Sequence, residues 1–170
     1  MKKYLLPLAI AFTVLLNTSC SKETVINFQD DSAYEIGSLE AEAGADNQVD
    51  IEKAILELTN EHRLAMNSNT LSFSPAAYEE ANKHTDYMIS KGKLSHDKFQ
   101  ERAYQISTKV KVKQVAENVA RHYDTAQEAF EHWLGSPDHR RSIEGNYTHT
   151  AISVKVDKNG KFYFTQLFYR

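Results

Sequence analysis

Cysteine is almost absent: the 170 residues hold one, Cys20. A single thiol cannot close an internal disulfide, and a zinc site built on several cysteines is excluded by count. The domain must therefore be stabilised by packing. Strong net charge is also missing, with 20 basic residues against 23 acidic ones. No basic stripe stands ready for phosphates, so nothing points to nucleic acid. The sequence has no internal repeat and no G-x-S-x-G elbow of the α/β-hydrolase kind. Its seven histidines, His62, His84, His96, His122, His132, His139 and His149, form no tight ligand motif. Proline is scarce as well. The two that follow residue 20, Pro75 and Pro137, each come directly after a serine, the signature of a helix start.

What is present begins with a leader. Lys2 and Lys3 precede an apolar stretch from Leu5 to Leu16, which meets "NTSC" at Cys20. A basic start, a short apolar run and a small-residue site read as an export signal rather than a mature membrane span. The stretch resembles a bacterial lipoprotein signal, in which the cysteine becomes the lipidated N-terminus. Asn17 departs from the large apolar residue usual at that place, and a plain secretory signal is the alternative. Residues 1–20 are thus expected to be a lipoprotein signal ending at Cys20, giving a lipid-anchored cell-envelope protein, periplasmic or surface-facing. Residues 21–50 then carry eight acids (Glu23, Asp30, Asp31, Glu35, Glu40, Glu42, Asp46, Asp50) and one base, Lys22. Without apolar periodicity, residues 21–49 read as an acidic flexible tether. Residues 51–170 hold 15 acids and 17 bases, and residues 50–170 are expected to form the domain.

Helical periodicity opens that domain. "DIEKAILELTNEHRLAM" repeats apolar residues at Ile51, Ile55 and Leu58, with Asp50 able to cap. "SPAAYEEANKHTDYMISKGKL" starts on Ser74 and Pro75 and stops at Gly92. "DKFQERAYQI" is a shorter helix led by Asp97. "KVKVK" alternates and reads as a short strand or hairpin edge. "TAQEAFEHWLG" is a third strong helix, and "SPDHRRSIEG" restarts on Ser136-Pro137 and ends on Gly145. The end of the chain changes period. "THTAISVKV", the turn "DKNG" and "KFYFTQLF" form an antiparallel hairpin. Helices first and strands last give an α+β fold, helices packed on an antiparallel sheet.

Three residues stand out as candidate site members. His96 lies in the break between two helices, and His139 lies just past Pro137, both at places where sites are built. Glu117, in "VAENVA", is an acid among Val115, Ala116, Val119 and Ala120. It is either a buried hydrogen-bonding hub or a tuned functional group. His62, His84, His122 and His132 sit in or beside helices and read as surface or packing histidines. Neither they nor His149 is expected in the site.

"LTNEHR", "ANKHTDYM", "LSHDKFQERA", "AENVA", "HWLGSPDHRRSI" and "FTQLF" occur in an order and spacing that resemble the CAP superfamily. That superfamily joins cysteine-rich secretory proteins, antigen 5 and plant pathogenesis-related class 1 proteins, and this chain looks like its disulfide-free bacterial branch. The resemblance covers about residues 50–170 and implies an α-β-α sandwich. It also implies a central cleft faced by two histidines and two acids. By motif these are His96, Glu117 and His139, while the second acid's place is held by Ser136, a departure from the family tetrad. Some members bind a divalent metal through the two histidines, and some bind sterols or fatty acids. Enzyme activity is not general in the family.

Ser136-Pro137 would put His139 in a helix's first turn, where the dipole disfavours imidazolium. Neutral imidazole is the form that binds metal, and Glu117 would accept a ring N–H and fix a tautomer. Ser136 is expected to cap that helix. Three readings remain open. The first is a binding module with a weak site for zinc or another divalent metal at His96 and His139, and an unknown small-molecule, lipid or peptide ligand. The second is a peptide or ester hydrolase using Glu117, Ser136 and His139. The third is a structural or adhesive surface protein with a vestigial cleft. A buried polar network that merely pins helices is the plain alternative for Glu117 and its histidines.

Overall fold

The computed structural model describes residues 28–44 and 46–170. The leader and Cys20 lie outside the described residues. Among the described residues, six helices and four strands follow one another: α1 (Phe28–Glu42), α2 (Val49–Ala65), β1 (Ser72–Phe73), α3 (Pro75–Lys91), α4 (Phe99–Lys109), β2 (Val115–Arg121), α5 (Ala126–Gly135), α6 (Pro137–Glu144), β3 (His149–Val156) and β4 (Phe162–Tyr169). Among the described residues, no helix is long and apolar enough to cross a membrane.

The strands form one sheet in the order β1-β3-β4-β2. β3 and β4 are the expected hairpin, and β2 adds to the other side of β4, antiparallel. Short β1 runs parallel to β3, so the sheet is antiparallel but for that edge. Strand alternation sends successive side chains to opposite faces. Thr165 hydrogen-bonds Thr85 of α3, while its neighbour Gln166 bonds Thr59 of α2. Tyr163 packs with Met88 of α3, and Phe164 meets Trp133 of α5 edge-on. One face of the sheet is thus covered by α3, with α4 beyond it, and the other by α2, α5 and α6. The result is a three-layer α-β-α sandwich, as the resemblance to the CAP superfamily implied.

Local signals explain the element ends. The Ser74 side chain accepts from the Ala77 N–H at 3.2 Å, and Pro75 sits in the first turn. Gly92 ends α3 in the left-handed region, φ 62°, where glycine bears no Cβ penalty. Gly145 serves differently. Its φ is −65°, and a Cβ there would lie 2.5 Å from the Tyr147 ring, so close packing, not a left-handed turn, requires glycine. Between the layers, buried Glu52 of α2 accepts from the Tyr78 hydroxyl at 2.6 Å, the Val154 N–H at 2.7 Å and Asn47 Nδ2 at 2.6 Å. This hub fastens α2 to α3 and β3; burial pushes its carboxyl pKa up against those bonds.

Four expectations are corrected. Residues 28–42 are helical, not part of a flexible tether. Leu39 is fully buried, the Glu35 carboxylate accepts from the Phe73 N–H, and Glu40 pairs with Lys53. The acidic composition hid the apolar anchor Leu39. "KVKVK" is not a strand: Lys109 closes α4, and residues 110–113 lie in the link from α4 to β2. Asp97 does not lead α4. Lys98, at φ 61°, holds the cap position, and the Asp97 carboxylate accepts from the Tyr87 hydroxyl at 2.8 Å. Asp50 lies inside the first turn of α2 rather than capping it.

Candidate functional site

The site is built around β2, an edge of the sheet. Gln114, just before the strand, exchanges both backbone hydrogen bonds with Arg170, and the His122 N–H, just after it, reaches the Phe162 carbonyl. Even-numbered residues of β2 therefore turn their backbone groups to β4, and Val115, Glu117 and Val119 turn theirs outward. Trp133 of α5 confirms the sense, its indole N–H donating to the Val119 carbonyl at 3.2 Å. Side chains alternate as well. Glu117 points to the α3–α4 side and Asn118 to the α5–α6 side, so the site straddles the strand.

On the first side, Arg102 grips Glu117 with two bonds, Nε to Oε2 and Nη2 to Oε1, each 2.7 Å. His96 Nδ1 lies 2.8 Å from Glu117 Oε1, and His84 Nε2 lies 3.8 Å from the same oxygen. The Glu117 side chain is only 2% exposed. Burial drives its pKa up, but the bonds from His96 and Arg102 and the guanidinium charge outweigh burial and hold it below the ordinary carboxylate range. The carboxylate is therefore charged and paired. His84 is buried, with Nε2 donating to the Ser95 carbonyl at 2.6 Å, and burial lowers its pKa. His96 is half exposed, and in a neutral ring that donates Nδ1–H to Glu117, Nε2 carries the free lone pair.

On the other side, Asn118 is fully buried, and its Nδ2 donates to the His139 carbonyl at 3.0 Å. This bond ties the first turn of α6 to β2. Burial, then the neighbouring His132 and His96, lower the His139 pKa, so its imidazole is neutral at neutral pH. Its Nδ1 is buried without a partner among the described residues. A cavity of about 400 Å³ runs between the two sides, lined by His96, Glu117, Asn118, Ser136, Asp138 and His139 among others.

The structure thus brings together four residues singled out in the sequence: His96, Glu117, Ser136 and His139. Ser136 differs from expectation in one respect, since its side chain makes no capping bond. The start of α6 is organised instead by Pro137 and by the Ser136 carbonyl, which accepts from the Arg140 N–H at 2.8 Å. Ser136→Ala is therefore expected to shift stability by less than about 0.5 kcal/mol, not the larger cost of a lost cap, and urea denaturation checks this. His62 bonds Glu144, His122 meets Tyr163 edge-on and His149 stacks on Tyr169, so these three serve packing away from the cavity. Three members escaped the sequence reading: Arg102, His84 and Asn118. His84 follows Ala81 by three and precedes Met88 by four, on the buried face of α3. Arg102 sits four before buried Ile106 on α4. Those spacings were the available signals.

A profile of the family described as "CAP: Cysteine-rich secretory protein family" matches residues 56–168. The chain belongs to this family. It is also similar to the uncharacterized membrane protein YlbC of Bacillus subtilis, 31% identical over 131 residues, covering 71% of this chain and 35% of that one. This CAP protein thus spans about a third of the length of that curated relative. An extracellular SCP-domain protein from Bacillus anthracis is similar in structure, with a TM-score of 0.59 and 28% identity, over 70% of this chain and 40% of that one. An outer surface protein from Borrelia burgdorferi shares the fold, with a TM-score of 0.62 and 17% identity, over 69% and 90% of the two chains. So does a cysteine-rich secretory protein from Staphylococcus aureus, with a TM-score of 0.61 and 18% identity, over 75% and 40%.

Proposed function

We propose that this CAP protein is exported, lipid-anchored through Cys20, and acts as a binding module whose β2 cavity holds a divalent metal weakly and takes a further ligand. The carrying observation is that His96 and His139, 43 positions apart in sequence, line one cavity together with Glu117. The donor chemistry fits an open site. His139 is neutral, and a His96 whose Nδ1–H is held by Glu117 presents Nε2, the arrangement in which a carboxylate orients a metal-binding imidazole. Arg102 holds Glu117 in place, so that acid orients rather than ligates. Among the described residues, no group of three or more His, Cys, Asp or Glu side chains is arranged to hold a metal ion. Two imidazoles supply half of a tetrahedral zinc shell, and water would complete it. A bound metal would supply Lewis acidity; the chain's own residues set its position and exclude it from the core. Folding is expected without metal, unlike a zinc finger.

Zinc titrated into the wild type by calorimetry should give weak binding that His96→Ala/His139→Ala reduces by tenfold or more, about 1.4 kcal/mol. Unchanged affinity in the double variant would remove the metal site. Anchoring has its own test. Cys20→Ala should move the protein from the membrane to the soluble fraction, and retention in the membrane would refute lipidation at that residue. The hydrolase reading finds less support. Glu117 bonds His96 rather than His139, so Ser136, His139 and Glu117 do not line up as nucleophile, base and orienting acid.

A further inference from the structure

We infer that the ligand of this cavity is an extended, uncharged stretch of peptide, which pairs with the outer edge of β2 as a short added strand. The inference rests on the reading of the cavity as the binding site and names what the site takes.

The first argument is the backbone. Val115, Glu117 and Val119 turn their N–H and C=O groups away from β4, as derived above. The Val119 carbonyl is taken by the Trp133 indole, which ends any added ladder at that residue. Val115 and Glu117 line the cavity. Glu117 is 9% exposed as a residue but only 2% in its side chain, so the part that solvent reaches is its backbone. A strand laid against this edge would exchange both bonds with Glu117 and extend toward Val115. This is the way sheet edges recognise peptides, with main-chain bonds providing the affinity.

The second argument is charge. No lysine or arginine lines the cavity, so a phosphate or carboxylate ligand would meet no cation. Of the two carboxylates that line it, buried Glu117 is matched by Arg102 and His96, and exposed Asp138 by Arg141, so a cationic ligand gains little from either. Uncharged amides, each offering one donor and one acceptor, match what remains. The third argument is shape. The strand lies in a recess between the His96–Phe99 segment and α6, and a cavity of about 400 Å³ admits a few residues of single chain. The edge of a second folded sheet, with its own helices, would be held off by these walls.

The probe is a capped neutral peptide, acetyl-Val-Thr-Val-Thr-Val-amide, added to the chain without its leader but otherwise whole. Backbone amide resonances are followed by NMR, and zinc is titrated in parallel. The peptide should shift the Val115 and Glu117 amides and slow their hydrogen exchange by about tenfold. The same peptide N-methylated at alternate residues, on the edge that would face β2, should not. Val115→Pro removes one outward N–H and leaves the β4 ladder intact. It should weaken the peptide by about tenfold while preserving the amide spectrum of β3 and β4. If the peptide moves no β2 amide while zinc still moves His96 and His139, the peptide assignment is overturned and the binding site stands. If neither ligand moves the site, both fall. A concentration-dependent dimer that protects the same amides without peptide would also overturn the assignment.

Discussion

Arg102→Met should lower the stability of the domain by about 3–5 kcal/mol, the range for breaking a buried ion pair from one side. The guanidinium is 7% exposed and the Glu117 carboxylate 2%, so water cannot replace the lost bonds. The conservative companion separates charge from volume. Arg102→Met combined with Glu117→Met should recover much of the loss, because the stranded charge is gone. The pH dependence should change sign. In the wild type, Glu117 has a depressed folded pKa. Its contribution is present above the unfolded value of about 4.3 and lost as pH falls through the lower folded one. In Arg102→Met, burial is less opposed and raises the folded pKa. The variant's deficit should then shrink as pH falls from neutrality toward the unfolded pKa, where the carboxyl binds its proton. Urea midpoints at pH 7 and pH 5 decide it. A deficit that stays constant would mean that the pair is solvated.

The same pair shows where sequence reading reaches and where it stops. Glu117 was legible because an acid between Val115, Ala116, Val119 and Ala120 conflicts with its surroundings, and such conflicts need a structural or functional reason. Arg102 was not, because an arginine on a short amphipathic helix has the look of a solvated residue until its partner is known. His84 was read as a packing histidine. It does pack, but 3.8 Å from Glu117, among the buried polar groups behind the site. Asn118 carries no signal of its own inside "AENVA". Its role depends on β2 being an edge that helices approach from both faces, and strand order is not written in local pattern.

The fold divides along the same line. Ser74-Pro75 and Gly92 bound α3 because caps act through near neighbours. The final turn was legible for the same reason: the Asp157 carboxylate accepts from the Asn159 and Lys161 N–H groups, at 2.8 Å and 2.9 Å, and Gly160 takes φ 75°. Ser136-Pro137 carries the same two letters as Ser74-Pro75, yet only Ser74 caps with its side chain. A dipeptide proposes a helix start, and the rotamer that caps it answers to packing. Helix α1 misled because its anchors, Leu39 and Glu35, act across to other elements, and composition averages over them. "KVKVK" points the opposite way: its alternation suits a strand, but its first residue belongs to the end of α4 and the rest spans the link to β2.

Arg63, the arginine of "LTNEHR", should be the other costly position. It is 1% exposed, and no carboxylate pairs with it among the described residues. Its charge is met by carbonyls instead. Nε donates to Asn69 at 2.8 Å, and Nη1 donates to Ile143 at 2.6 Å and Gly145 at 2.8 Å. Two of these carbonyls lie at the end of α6, the negative end of its dipole. Burial lowers the Arg63 pKa, but a guanidinium remains charged throughout the pH range of folding. Arg63→Met removes these three short charge-assisted bonds, together with two longer ones from Nη2 to Asn69 Oδ1 at 3.4 Å and the Tyr147 carbonyl at 3.5 Å, and leaves the carbonyls without their donor. At about 1.5–3 kcal/mol for a hydrogen bond to a charged group, less the gain from not desolvating the cation, the expected loss is about 3–5 kcal/mol. Arg63→Lys should restore little, because a single ammonium cannot span Asn69 on one side and the α6 terminus on the other. Since α6 carries His139, the damage should reach the cavity: in folded Arg63→Met, amides of α6 should exchange faster than those of α3, and zinc affinity should fall with them. Equal protection of α6 and α3 would show that the helix is held by its packing, through buried Ile143, rather than by the arginine.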